Sequence, residues 1–178
     1  MNSFYTHEEL SKIGFKSIGS NVLISRYSSI YSPEKISIGN NVRIDDFCIL
    51  SGNLTLGSHI HISAYVAMYG SKGIIMEDYT GISPRSLLFS AMDDFSGDFL
   101  IGPVHSEELT NVTGGKIIIS KFSQIGANSI IFPNVIINTG TIVGAFTLVN
   151  KSLEEWGIYV GIPAKRIKER RRNLQKLI

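Results

Sequence analysis

Ile119-Ser120-Lys121-Phe122-Ser123-Gln124-Ile125-Gly126-Ala127-Asn128-Ser129-Ile130-Ile131-Phe132-Pro133-Asn134-Val135-Ile136-Ile137 carries an aliphatic residue at every sixth position, and Val143 and Val149 continue the run. A second run, Ile38, Ile44, Leu50, Leu56, Ile62 and Met68, keeps the same step. Ile18, Ile24, Ile30 and Ile36 lead into it, and Met76, Ile82 and Leu88 resume it after a short shift. Four residues behind each aliphatic position stands a small or β-branched residue, as at Val42, Cys48, Val66, Thr80, Ser86, Ser123, Ser129, Thr141 and Thr147. Gly often follows directly, as at Gly19, Gly39, Gly57, Gly126 and Gly144.

A step of six fits neither the helix period nor a simple meander. It is a whole number of strand alternations, so each aliphatic side chain points to the same side of its extended segment. If the chain turns a corner after every six residues, that side is the inside of a three-faced prism. The slots then amount to about six coils. The small slot suits a crowded bend, and glycine at the corner suits backbone angles that other residues resist. An all-β sandwich of short strands is the competing fold, but nothing in a sandwich holds one register through two six-step runs.

The chain of 178 residues suits a single domain, residues 1–178. Its net charge of +2 gives no global reason to bind nucleic acid. A single cysteine excludes an internal disulfide framework, and Cys48, in the small slot, reads as a packed core thiol. Neither a secretory leader nor an apolar run long enough to span a membrane is visible, so the expected location is the cytoplasm. Thr6-His7-Glu8-Glu9 has the form of a capping box, opening a short helix that Gly14 stops. This capping segment is expected over residues 1–15, with the repeat over 16–153 and a tail with a helix over 154–178.

The repeat breaks once on a large scale, over a loop at 89–116 rich in Asp, Ser, Gly and Thr. Long loops inside compact repeats are functional or disordered, and one leaving the prism at a single point favours function. The tail gathers Lys165, Arg166, Lys168, Arg170, Arg171, Arg172 and Lys176, with Ile167, Leu174, Leu177 and Ile178 as an apolar stripe if helical. A solvated helix closing the last coil is the plain reading. A phosphate contact or peripheral contact with an anionic membrane is the sharper one.

The pattern [LIV]-G-x-x-[STAV]-x resembles that of the hexapeptide-repeat acyltransferases. The resemblance runs from about Ile18 to Arg166 and implies a left-handed parallel β-helix, against the usual right-handed crossover rule. Ile125-Gly126-Ala127 through Ile131-Phe132-Pro133, Val143-Gly144-Ala145 and Val160-Gly161-Ile162-Pro163-Ala164-Lys165 are similar to the family's acyl-CoA segments. The resemblance implies acetyl-CoA as co-substrate and no metal. Gly126, Ala127, Gly144 and Ala145 would form a groove for the thin pantetheine arm, and Pro163 an apolar surface for adenine. Lys151, Lys165 and Arg166 would meet the phosphates. Gly126 and Gly144 are also repeat glycines, so a purely structural role competes for both.

On the acceptor side Met76-Glu77-Asp78-Tyr79-Thr80-Gly81-Ile82-Ser83-Pro84 fits the coil that precedes the catalytic histidine in sugar O-acetyltransferases of the family. Here Asp93 stands where that histidine belongs. A carboxylate, titrating at about 4, is a poor base for a sugar hydroxyl, whereas an amine, partly neutral already, needs less help. The change tilts the acceptor toward an amino sugar, with Asp93 as base and His61 as the alternative. His59 and His61 alternate with the inward Ile62 and are expected to be exposed. The resemblance places Ser63, Ser83, Arg85, Asp94, Ser96 and His105 on the acceptor side, the last reaching across to another subunit. Asp93-Asp94-Phe95-Ser96-Gly97 is similar to a loop motif of a polysaccharide-pathway subgroup.

The expected function is therefore transfer of the acetyl group of acetyl-CoA to a hydroxyl or amine of a sugar. That sugar is expected to be nucleotide-linked or part of a surface polysaccharide. A homotrimer with sites between subunits is implied. The alternatives are a γ-carbonic-anhydrase-like zinc enzyme, for which no third histidine is evident, and a non-catalytic β-helix scaffold.

Overall fold

The computed structural model describes residues 3–177. Among these the chain winds as a left-handed parallel β-helix. Seven parallel strands stack on the first face: Val22–Ile24, Val42–Ile44, Ile60–Ile62, Gly81–Ile82, Gln124–Ile125, Ile142–Val143 and Gly157–Val160. The second face runs from Ser29–Tyr31 through residues 49–51 and 67–69 to Leu87–Phe89, Ile130–Ile131 and Leu148–Val149. The third holds Ser17–Ile18, Ile36–Ile38, residues 54–56 and 74–76, Ile117–Ile119 and Ile136–Ile137.

Every slot of the two six-step runs is buried, so the register on the page is the register in space. Ile18 and Ile30, in the lead-in, are only half-buried because the prism is open there. At roughly 1.5–3 kcal/mol for each fully buried aliphatic side chain, these columns are the main source of stability. The small slot has a second purpose. Its hydroxyls donate to carbonyls of the adjacent coil, Ser86 Oγ to Gly126 O at 2.9 Å, Ser123 Oγ to Asn138 O at 2.8 Å and Ser129 Oγ to Gly144 O at 3.0 Å. A buried corner carbonyl left unpaired would cost about 1–3 kcal/mol.

The glycines after the aliphatic slots are not there for unusual backbone angles, which is a departure from expectation. The left-handed residue lies two places further on and is seldom glycine: Phe47 has φ 61°, Tyr65 63°, Tyr79 58° and Phe122 66°. Each such residue costs about 1–2 kcal/mol. Ring stacking along the prism edges offsets part of it, through Tyr27, Phe47 and Tyr65 on one edge and His59, Tyr79, Phe122 and Trp156 on another. The glycines answer to close approach instead. A Cβ on Gly126 would lie 2.5 Å from Ala145 N and 2.6 Å from Gly144 C, so any side chain there separates the coils.

The capping helix spans His7–Ile13, with both halves of the capping box formed and Gly14 left-handed at its end. Glu9 also pairs bidentately with Arg26 on the first complete coil, at 2.5 and 2.6 Å. The Arg26 hydrogen bonds, followed by those from Thr6, lower the Glu9 pKa from 4.5 to about 2. A depressed carboxylate stabilises the fold in full above 4.5 and progressively less as pH falls toward 2. Glu9→Gln should therefore lower the urea midpoint at neutral pH and converge with the unsubstituted protein near pH 2.

The interruption begins at Ser90. Ala91–Asp93 runs antiparallel to Val112–Gly114, making a two-stranded arm that leaves the prism and returns to it. The tail corrects the expected C-terminal helix. Lys165–Glu169 turns back antiparallel to Gly157–Val160 and covers the edge of the first face, and only a short 3-10 turn, Asn173–Lys176, follows. An unpaired strand edge at the end of a stack favours a covering strand, and a charged one resists further pairing. Arg166 bonds Glu169 and lies 3.5 Å from Glu154, while Arg172 reaches Glu155 and Glu169, which holds the strand down. Ile178 of the expected apolar stripe lies outside the described residues.

Candidate active site

The first face presents an outward polar row. Arg43, His61, Gly81 and Gln124 occupy successive register positions, with Asp45, Ser63 and Ser83 two residues further along their coils. Ser63 N donates to Ile82 O and Ser83 N to Ile125 O, so the two serines sit at matching corners of adjacent coils. Arg85 follows at the corner, its guanidinium 5.6 Å over the Tyr65 ring. Ser83 Oγ lies 3.4 Å from Gln124 Nε2.

His61 is exposed, as alternation implies, but committed. Its Nε2 is 2.8 Å from Asp45 Oδ2, and Asp45 Oδ1 accepts from Arg43 Nε at 2.7 Å. Burial pushes the Asp45 carboxyl up, but the bonds and charges of Arg43 and His61 outweigh it and leave its pKa below the ordinary value. His59 is a corner residue stacked flat on Tyr79 at 4.5 Å.

The paired strands of the arm place two adjacent carboxylates in contrasting settings. Asp94 is structural: Ser96 N donates to Oδ1 at 2.8 Å, Asn111 Nδ2 donates to Oδ2 at 2.8 Å, and its backbone N–H donates to Asn111 O. Hydrogen bonds from Ser96, then from Asn111, hold its carboxyl below the usual range. Asp93, opposite Val112, is half-buried and its carboxylate has no hydrogen bond or ion pair among the described residues. Ser96 caps Asp98 within the turn, and His105 lies exposed in the outer part of the excursion. Asp93 and His61 share no bond among the described residues, so the two expected bases are not a pair.

The residues expected to hold the co-substrate lie on the last coils and the tail. Gly126 and Gly144 stack coil on coil, with Ala127 and the exposed Ala145 beside them. A small apolar cleft opens there among Asn128, Ile130, Phe146, Thr147, Leu148 and Ile162. Pro163 follows a cis Ile162–Pro163 bond and is exposed, as are Lys151 and Lys165. Arg166 is already occupied by Glu154 and Glu169, which leaves the two lysines as the uncommitted cations of the set. Cys48 is buried, its thiol pushed up to about 11 by desolvation, and its Sγ donates to Ser63 O. That is the packed thiol expected.

Three partners escape a reading of the sequence: Asp45 under His61, Gln124 beside Ser83, and Arg170. The last donates to Phe122 O at 2.7 Å and Gly140 O at 2.9 Å, pinning the tail to the aromatic edge. Among the described residues no three His, Cys, Asp or Glu side chains gather as metal ligands, and no helix is long and apolar enough to cross a membrane.

No protein-family model matches the chain. It is 41% identical over 172 residues to a dTDP-4-amino-4,6-dideoxy-D-glucose acyltransferase of Escherichia coli, covering 95% of this chain and 90% of that one. Among solved structures it is similar to AntD, an N-acyltransferase from Bacillus cereus in complex with dTDP and 3-hydroxybutyryl-CoA. The TM-score is 0.97 and the identity 57%, over 99% of this chain and 95% of AntD. AntD has also been solved with a serine replaced, and with an aspartate ten positions further on replaced. Ser83 and Asp93 stand ten residues apart in this chain.

Proposed function

The chain belongs to the acyl-CoA-dependent sugar acyltransferases of the hexapeptide-repeat fold, and from that premise we propose that it acylates the 4-amino group of a dTDP-linked 4-amino-4,6-dideoxyhexose. The observation that carries the choice of an amine is the uncommitted Asp93 carboxylate, in the place where the resemblance to sugar O-acetyltransferases implies a histidine. A carboxylate can orient a sugar ammonium and take its proton, and the freed lone pair then attacks the thioester carbonyl. The carbon–nitrogen bond forms and the carbon–sulfur bond breaks. As the tetrahedral intermediate collapses the nitrogen gives up its second proton, CoA leaves as thiolate and takes that proton to become the thiol, and Asp93 releases the first proton to solvent. Backbone N–H groups near Gly144 and Ala145 stabilise the oxyanion of the tetrahedral intermediate.

Ser83, with Ser63 and Arg85, binds the acceptor. Asp94 and Ser96 hold the arm, and His105 carries it toward a neighbouring copy. His61, exposed and with one ring nitrogen held by Asp45, is the alternative base. Gly126, Ala127, Gly144 and Ala145 line the pantetheine path, Pro163 meets adenine, and Lys151 and Lys165 meet the phosphates, with Arg166 at their margin. The acyl group is acetyl or a short hydroxyacyl chain. The enzyme acts in the cytoplasm as a homotrimer with sites between subunits.

CoA release measured against a panel of nucleotide-linked sugars tests the reading. Turnover is expected with dTDP-4-amino-4,6-dideoxyglucose and not with its 4-hydroxyl counterpart; the reverse preference would refute it.

A further inference from the structure

The outward row of the first face has one gap. Gly81 lies between His61 and Gln124 in register, and it alone of the three carries no side chain. The Gln124 carboxamide fills the vacancy. A Cβ built on Gly81 would lie 2.5 Å from Gln124 Oε1, 3.1 Å from Nε2 and 3.2 Å from Cδ, and these are its three nearest atoms. The backbone of Gly81 has no left-handed φ that would demand glycine. What the glycine provides is therefore a berth for one carboxamide. Seated there, Gln124 Nε2 points at Ser83 Oγ, 3.4 Å away. That distance is long for a hydrogen bond, so the berth, more than the bond, holds the amide in place.

A hydroxyl has one proton to donate and two lone pairs to accept. We propose that Gln124 is a positioning residue for Ser83: its amide, berthed over Gly81, donates to Ser83 Oγ and leaves the serine's own proton directed outward, toward the acceptor or the thioester oxygen. The inference rests on the reading of Ser83 as part of the acceptor site. It assigns Gly81 and Gln124 to function, although both sit inside the repeat where glycine and a polar surface residue would otherwise pass as structural.

Gly81→Ala is a clean probe because only the far end of one flexible side chain must move. The test is a cycle of Gly81→Ala, Gln124→Ala and Ser83→Ala, read as kcat/KM with whichever acceptor the unsubstituted enzyme turns over in the panel, alongside Tm. Gly81→Ala and Gln124→Ala should each lower kcat/KM about three- to tenfold, the weight of one oriented hydrogen bond, with Tm nearly unchanged. The double variant should be no worse than the poorer single one. In the Ser83→Ala background, adding Gln124→Ala should change nothing. Gln124→Leu, which keeps bulk and loses the donor, should behave as Gln124→Ala. Equal losses with and without Ser83, full activity in Gly81→Ala, or full activity in Gln124→Leu would each overturn the inference. A wrong acceptor class would show instead in the unsubstituted enzyme's preference across the panel, and an enzyme acylating no sugar would overturn both.

Discussion

Asp93→Asn is expected to lower kcat by about 10²–10⁴-fold near neutral pH, the usual weight of a general base, while leaving Tm unchanged. The substitution keeps shape and removes only the charge and the ability to take a proton. The antiparallel pairing of Asp93 with Val112 is made by backbone and survives it. No side-chain bond of Asp93 is lost among the described residues, so stability has nothing to lose. The deficit should shrink as pH rises through the pKa of the acceptor ammonium, because solvent then supplies the neutral amine that the carboxylate no longer generates. Asp94→Asn is the control one residue away. It weakens the bonds to Ser96 and Asn111 that shape the arm, so it should lower thermal stability of the arm and raise KM for acceptor more than it lowers kcat. His61→Gln should cost far less in kcat than Asp93→Asn, because the proton passes to Asp93 and not to the imidazole; a larger loss in His61→Gln would move the base to the His61–Asp45 pair. Full activity in Asp93→Asn by steady-state CoA release would remove it from the mechanism.

Trp156→Ala should cost about 3–5 kcal/mol, the usual range for deleting a buried tryptophan. The ring is 1% exposed, ends the aromatic edge against Phe122, and carries the Arg172 guanidinium 5.6 Å above it. Its backbone ties the last coil at both ends, Trp156 N donating to Thr139 O and Arg170 N to Trp156 O. Emptying this position leaves a cavity where the tail strand is anchored. The expected result in urea, followed by circular dichroism, is a large drop in midpoint. KM for acyl-CoA should rise as well, because Pro163 and Lys165, proposed to meet adenine and phosphate, hang from the same tail. A loss below about 1 kcal/mol would mean that the tail closes the prism without this ring.

The six-step aliphatic slots made the prism legible because burial repeats wherever the register does, from Ile38 to Met68 and from Ile119 to Val149. The capping box was legible because its four residues are contiguous. What escaped notice depends on partners brought together by winding. Gln124 meets Ser83 across 41 residues, a separation lengthened by the excursion, so no period points to it. Asp45 meets His61 at 16 residues, close to one coil, and could have been found by laying successive coils side by side. The tail misled because its basic run suits an exposed helix, and only the open strand edge of Gly157–Val160 decides for a strand. The repeat glycines misled differently. Their reason is the backbone of the next coil, which composition does not reveal.

The most direct measurement is the structure of the product. Enzyme, acyl-CoA and dTDP-4-amino-4,6-dideoxyglucose should yield one equivalent of free CoA thiol and a nucleotide sugar heavier by one acyl group. NMR should place that group on N4, as an amide stable to hydroxylamine. An ester on a ring hydroxyl, cleaved by hydroxylamine, or an unmodified amino sugar after complete exposure, would contradict the account.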